Sequence, residues 1–168
     1  MILIKIINVE DEEDYVFNFN KNELKYEKLK DRKLAYVSRI FKQIAKNNFF
    51  SISHSYPFCI MAESDNQIGI DIENVNRKID WKSIVLKKFN KTDSHPPSRL
   101  DFLTIWTMRE AYFKYSQDIN YLAISITDIR RNCHWMCEHL DDVIYSICTK
   151  SQDDNIKYKI LNLSNLYD

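Results

Sequence analysis

The sequence predicts an α+β fold whose strands pair mostly antiparallel. Strand-like segments follow one another directly in several places, whereas parallel strands would need a crossover, usually a helix, between them. Two longer stretches carry apolar residues at helical spacing. With 45% hydrophobic and 13% aromatic residues, the 168-residue chain can bury a core of ordinary size. We therefore expect one folded domain over residues 1–168.

The first part of the chain predicts a strand, a long helix and three further strands. Residues 2–8 are mostly apolar and are predicted to form the first strand, and a helix is expected over about 22–47. The helix is indicated by apolar residues at spacings of three and four, namely Leu34, Val37, Ile40, Phe41 and Ile44. Residues 49–55 and 58–63 are predicted as strands, and a turn at Asp65 leads into a further strand around Gly69.

The second part predicts two helices followed by strands. A short helix over about 81–89 ends at the Ser94–Ser98 segment, which contains two prolines. Ser98 or Asp101 could cap a long helix that ends near Ser116. The remaining strands are expected over three segments, residues 123–129, 143–149 and 156–163.

Charge and composition exclude several classes of protein. The 24 basic and 24 acidic residues cancel, which argues against a general nucleic-acid or membrane-surface binder. No run of about 18 apolar residues is present, so no membrane span is expected. The apolar start lacks the basic region and cleavage site of a signal peptide. The four cysteines form no disulfide framework, so we expect a cytoplasmic protein.

A cysteine- and histidine-containing run at Cys133–His139 leaves two interpretations open. Zinc motifs usually pair ligands as C-x₂₋₄-C with a second, separated pair. Here the spacing is cramped, and alternation would place Cys133, Cys137 and His139 on one face of a strand. A strand or loop with incidental thiols is favoured over structural zinc.

The only glycine, Gly69, lies in an alternating segment, Ile68-Gly69-Ile70-Asp71-Ile72-Glu73. On a strand the isoleucines would face a core, and Gly69, Asp71 and Glu73 would share the other face. Two carboxylates about 7 Å apart beside a residue without a side chain would leave room for a hard cation and a polyphosphate. The simpler alternative is a half-buried strand with a solvated polar face.

The second long helix carries the other candidate groups. Residues four apart share a helix face, so Trp106, Glu110 and Lys114 form one stripe. On its own, the Glu110–Lys114 spacing indicates an ordinary surface ion pair. Together with the Gly69 strand, three carboxylates and the cations Arg109 and Lys114 are the groups expected at a Mg²⁺–polyphosphate site.

These segments resemble the paired signatures of the 4′-phosphopantetheinyl transferase superfamily. The signatures are a G-[IV]-D-[IV]-E strand, matched by residues 69–73, and a W-x-x-K-E-A-x-x-K helix, matched by residues 106–114 except at Arg109. Upstream, Ser51-Ile52-Ser53-His54-Ser55 matches the S-x-S-H-S segment of the Sfp type. The resemblance runs from about Phe49 to Ile129. It implies two similar α+β halves related by a pseudo-twofold axis, here about 1–64 and 65–168.

The resemblance also implies a reaction and a role for each matching residue. The phosphopantetheine arm of coenzyme A would pass to a serine of an apo carrier protein, releasing adenosine 3′,5′-bisphosphate. Asp71, Glu73 and Glu110 match the Mg²⁺ ligands, and Glu110 is also the candidate base for the serine proton. Lys114 matches the lysine that steadies the leaving phosphate, and His54 matches the histidine that contacts the coenzyme A phosphates.

Partners follow from the same resemblance. Carrier proteins are acidic, so the basic first helix or Lys87, Lys88 and Lys91 could meet them. Neither nucleic acid nor a membrane is expected as a partner, and relatives of the Sfp type are generally monomers.

Four departures from the family pattern bear on function. Arg109 stands where a lysine is usual, Tyr56 stands where a glycine normally follows the Ser-His-Ser segment, and the loop after the helix, Ser116–Asn120, lacks its usual glycines. The N-terminal half is shortened and has no equivalent of the G-K-P segment that helps to bind the nucleotide. A non-catalytic relative that binds coenzyme A or a carrier protein is therefore the alternative to an active transferase.

Overall fold

The structure, a computed structural model, describes residues 1–12, 14, 17–89, 96–150 and 156–160. Within these ranges the chain forms seven strands and five helices, which confirms the predicted α+β class. In chain order the elements are β1 Ile2–Asn8, α1 Lys21–Leu24, α2 Leu29–Ile44, β2 Phe49–Ser55, β3 Phe58–Ser64, β4 Ile68–Asn74, α3 Trp81–Lys88, α4 Arg99–Ser116, α5 Ile126–Asn132, β5 His134–Leu140, β6 Val143–Thr149 and β7 Ile156–Ile160.

The strands form two sheets. The first sheet has the order β2-β3-β1-β7, with β3 antiparallel to both β2 and β1 and with β7 parallel to β1. The second sheet has the order β4-β6-β5 and is antiparallel throughout. Pairing is therefore mostly antiparallel, as the sequence predicts.

The sheets share a core made largely of isoleucine. Ile70 and Ile72 of β4 are buried with Ile4 of β1 and Ile60 of β3, so the isoleucine face of β4 is a core face, as predicted. On the far side of the first sheet, α2 buries its apolar stripe, including Val37. On the far side of the second sheet lies the long helix α4, together with α5.

Two predicted elements differ in the structure. The expected helix over 22–47 is divided: α1, which Asn20 caps through a capping box with Glu23, ends at Leu24, and α2 begins at Leu29. The predicted strand over 123–129 is wrong. The side chain of Ser125 accepts a hydrogen bond from the backbone N–H of Asp128 and so starts helix α5 despite the β-branched residues there.

Other predicted boundaries agree closely with the structure or cannot be compared. The strands predicted over 2–8, 49–55, 58–63 and 143–149 are present. Ser94 and His95 of the predicted break, residues 161–163 at the end of the last predicted strand, and Lys91 lie outside the described residues. No helix of the described chain is long and apolar enough to cross a membrane.

Candidate functional site

The site lies where β2, the edge strand of the first sheet, runs beside β4, the edge strand of the second. Serine side chains connect the two strands. Ser51 Oγ accepts a hydrogen bond from the backbone N–H of Ile70 at 3.1 Å, and Ser55 Oγ accepts one from the N–H of Asn74 at 3.0 Å. Because backbone donors at a buried edge need partners, these serines take the place of a missing neighbouring strand.

The same serine row positions the two carboxylates of β4. Ser53 Oγ donates to Asp71 Oδ1 at 2.6 Å, and Ser55 Oγ donates to Glu73 Oε2 at 2.7 Å. Serines and carboxylates both recur every second residue, so the two rows meet in register. The S-x-S-H-S segment thus contributes structurally through its serines, a role that the sequence analysis did not assign.

Asp71 also joins the site to helix α4. Lys114 Nζ donates to Asp71 Oδ1 at 2.9 Å and to the backbone oxygen of Ile70 at 3.0 Å. Asp71 is only 6% exposed, and burial raises its pKa to about 6 against the opposing effects of Lys114 and Ser53. The three motifs therefore meet at one buried carboxylate.

Glu73 and Glu110, the other two candidate ligands, have hydrogen-bond partners of their own. Glu73 is buried and accepts from Arg77 Nη1 at 3.0 Å, in addition to Ser55. Glu110, on α4, accepts a hydrogen bond from the hydroxyl of Tyr121 at 2.8 Å. Among the described residues, no ion pair joins Glu110 to Lys114. Lys114 pairs with Asp71 instead of forming the surface ion pair with Glu110 that the spacing alone suggests.

His54 faces a separate cleft on the helical side of β2. The cleft has a volume of about 610 Å³ and lies between β2 and helices α1 and α2. Three of its lining residues are cationic, Lys25, Arg39 and Lys42, and two are acidic, Glu23 and Asp31, of which Glu23 pairs with Arg39. Partial burial lowers the pKa of His54, because it disfavours the charged imidazolium, and the positive charge of Lys114 lowers the pKa further. The imidazole is therefore mostly neutral at pH 7.

The structure places Arg109 away from these groups. Its side chain is fully buried, and its guanidinium donates to the backbone oxygens of Leu122 and Tyr121 in the loop after α4. The same group lies 4.7 Å from the centre of the Phe89 ring. A phosphate would have to displace this loop to reach Arg109. In the structure, Arg109 instead anchors the loop to helix α4.

Gly69 does not provide the open backbone that the sequence analysis expected. A Cβ built on Gly69 would lie 2.0 Å from the backbone oxygen of Ala111 and 2.6 Å from the backbone nitrogen of Tyr115. Helix α4 therefore rests directly on the strand at this point, and the expectation of room for a polyphosphate there is wrong. The alternative of a solvated polar face is also wrong, since Asp71 and Glu73 are buried.

The chemistry of the three carboxylates suits Mg²⁺, which takes oxygen ligands. A buried carboxylate with a raised pKa, such as Asp71, would gain from a nearby cation. In the described ranges, however, no group of three or more His, Cys, Asp or Glu side chains is gathered as a metal-holding cluster. The Cys133–His139 run, most of which forms strand β5, is among these residues and does not form such a cluster.

Metal-free protein should show the raised pKa of Asp71 as a pH-dependent stability. An unfolded aspartate titrates near pH 4, so between about pH 4 and pH 6 the folded state binds the extra proton. The contribution of Asp71 to the free energy of unfolding is therefore largest below pH 4 and is lost as the pH rises through 6. Relative to Asp71→Asn, wild type should lose on the order of 2–3 kcal/mol between pH 4 and pH 7.

Urea unfolding of both proteins in EDTA at several pH values measures this difference, and subtracting the variant cancels the other titrating groups. A difference that is flat with pH, or that grows as the pH rises, would contradict the assigned environment of Asp71.

No protein-family model matches the chain, and a search of curated proteins finds no match.

Proposed function

We propose that this chain is a Mg²⁺-dependent 4′-phosphopantetheinyl transferase that uses coenzyme A to modify a serine of an apo carrier protein. One observation carries the proposal. Three motifs separated in sequence, on β2, β4 and α4, converge on Asp71 through hydrogen bonds from Ser53 and Lys114. A coincidental match of three short patterns would not need to bring their polar residues together.

The topology is consistent with two similar halves. In the order of their appearance in the chain, β1, β2 and β3 are arranged first-third-second in one sheet, and β4, β5 and β6 repeat that arrangement in the other. Each half also places its helices between its first and second strands. This repetition supports the proposed pseudo-twofold relation, with the site at the junction of the halves.

The proposed reaction forms a bond between the serine oxygen and the β-phosphorus of coenzyme A and breaks the pyrophosphate bond. Glu110 takes the serine proton, directly or through a water. Lys114, held near the site by Asp71, donates to the phosphate of the departing adenosine 3′,5′-bisphosphate. Asp71, Glu73 and Glu110 would hold Mg²⁺, which when bound would neutralise pyrophosphate charge and make the phosphorus more electrophilic.

The cleft beside His54 is the proposed place for the phosphate-rich part of coenzyme A. Arg39 is paired with Glu23, so the groups that suit an anionic ligand are Lys25, Lys42 and a neutral imidazole that can donate one hydrogen bond. On helix α3, Leu86 is 74% exposed beside Lys87 and Lys88, a combination that suits an acidic carrier protein.

The decisive measurement is the intact mass of several apo carrier proteins after incubation with this chain, coenzyme A and Mg²⁺. We expect a gain of one phosphopantetheine group, and we expect EDTA to prevent it. A carrier whose acceptor serine is replaced by alanine is the matched control and should remain unmodified.

A non-catalytic relative is the second candidate, favoured by the separate partners of the three carboxylates in the described chain. Such a protein would bind coenzyme A, seen as a rise in melting temperature, and would leave every carrier unmodified. Absence of both binding and transfer would contradict both candidates.

A further inference from the structure

Tyr121, in the loop after α4, contacts the proposed base from outside the three motifs. Its hydroxyl donates to Glu110 Oε1 at 2.8 Å, and its ring stacks on Phe113 with 4.8 Å between ring centroids. We infer that Tyr121 is a positioning residue that fixes the orientation of the Glu110 carboxylate, an inference that rests on the proposed function.

The loop that carries Tyr121 is itself held in place. Arg109 donates to the backbone oxygens of Tyr121 and Leu122 from within the protein. Inside the loop, the backbone N–H of Tyr121 donates to the oxygen of Asp118 at 3.2 Å, and the N–H of Ala123 donates to the oxygen of Asn120 at 2.8 Å. The tyrosine hydroxyl is therefore fixed both by its ring stack and by its backbone.

This arrangement connects two departures from the resembled motif. An arginine replaces lysine at position 109, and the following loop has no glycine. A planar guanidinium can reach two carbonyl oxygens at once, which a lysine ammonium does less well because it is a point charge on a flexible stem. The arginine thus anchors the loop, and the loop presents a tyrosine to the residue next to that arginine.

Glu110 depends on this contact for its orientation. Across the described residues, Tyr121 is the only hydrogen-bond partner of the Glu110 carboxylate. A partly exposed glutamate without such a partner would sample several rotamers. Because misplacing a reacting group by about 1 Å can cost roughly 100-fold in rate, losing the hydroxyl should reduce turnover more than it reduces substrate binding.

The test compares wild type with Tyr121→Phe, which removes the hydroxyl and keeps the stacked ring. We expect kcat for carrier modification to fall at least about tenfold, with KM for coenzyme A unchanged and little change in melting temperature. Mn²⁺ affinity, measured by electron paramagnetic resonance without substrates, should fall about 10-fold, the lower limit usual for loss of a group that orients a metal ligand. Tyr115→Phe removes the same atom five residues beyond Glu110 on α4 and should change none of these quantities.

The two readouts separate the inference from the proposed function. If wild type modifies carriers and Tyr121→Phe keeps full kcat and Mn²⁺ affinity, the positioning role is overturned and the transferase assignment stands. If wild type modifies no carrier, weaker Mn²⁺ binding by Tyr121→Phe would still support the positioning of Glu110. Equal binding by both proteins, or no binding by either, would overturn the inference.

Discussion

Replacing Gly69 by alanine is expected to destabilise the protein by at least about 3 kcal/mol, the upper end of the usual cost of overpacking a core. The added Cβ would lie 2.0 Å from the backbone oxygen of Ala111 and 2.6 Å from the nitrogen of Tyr115. Both atoms belong to the backbone of α4, which cannot move locally as a side chain can. The helix would have to shift and would carry Glu110 and Lys114 with it, so transfer activity should fall together with stability.

Urea unfolding measures the stability change, and Val143→Ile is the matched control. Val143 is buried in the core between the sheets, so this substitution also adds one carbon, but against side chains that can adjust. The control should cost less than Gly69→Ala. Equal unfolding midpoints for Gly69→Ala and wild type would mean that α4 does not rest on β4 at this point.

The fold could be predicted where a short segment determines its own structure. Alternating isoleucines marked one face of β4 as a core face, and the structure buries Ile70 and Ile72 there. The opposite face was misjudged, because its burial depends on α4, about 40 residues further along the chain. A glycine in a strand signals close approach by another group, but the sequence does not say whether that group is a ligand or a helix backbone.

In the candidate site, too, features set by neighbouring residues could be predicted, whereas contacts between separate elements could not. Helical spacing correctly placed Glu110 and Lys114 on one stripe, yet it also suggested that they pair with each other. In the structure, Lys114 pairs with Asp71 on strand β4, and Glu110 accepts a hydrogen bond from Tyr121 in the loop after α4. The match between the serines of β2 and the carboxylates of β4 is visible as a shared period of two, but recognising it requires knowing that the two strands are neighbours.

Asp71→Asn and Glu110→Gln should each reduce carrier modification by at least about 100-fold while leaving the protein folded. Removing a general base costs roughly 10²–10⁴ in rate, so the loss at Glu110 follows from its proposed role alone. At Asp71, the amide would withdraw one anionic oxygen ligand and the charge that holds Lys114 near the site. Both substitutions preserve side-chain size, so packing of β4 against α4 should persist.

Initial rates of carrier modification, Mn²⁺ affinity and melting temperature together distinguish the proposed roles from simple unfolding. Asp65→Asn is the matched control, because that side chain lies in the turn before β4 and is 74% exposed. It should retain wild-type rates and metal affinity. A folded Asp71→Asn or Glu110→Gln protein with near-normal turnover would show that the substituted carboxylate is not required for transfer. Because the two side chains come from different elements, each result tests a separate part of the proposed site.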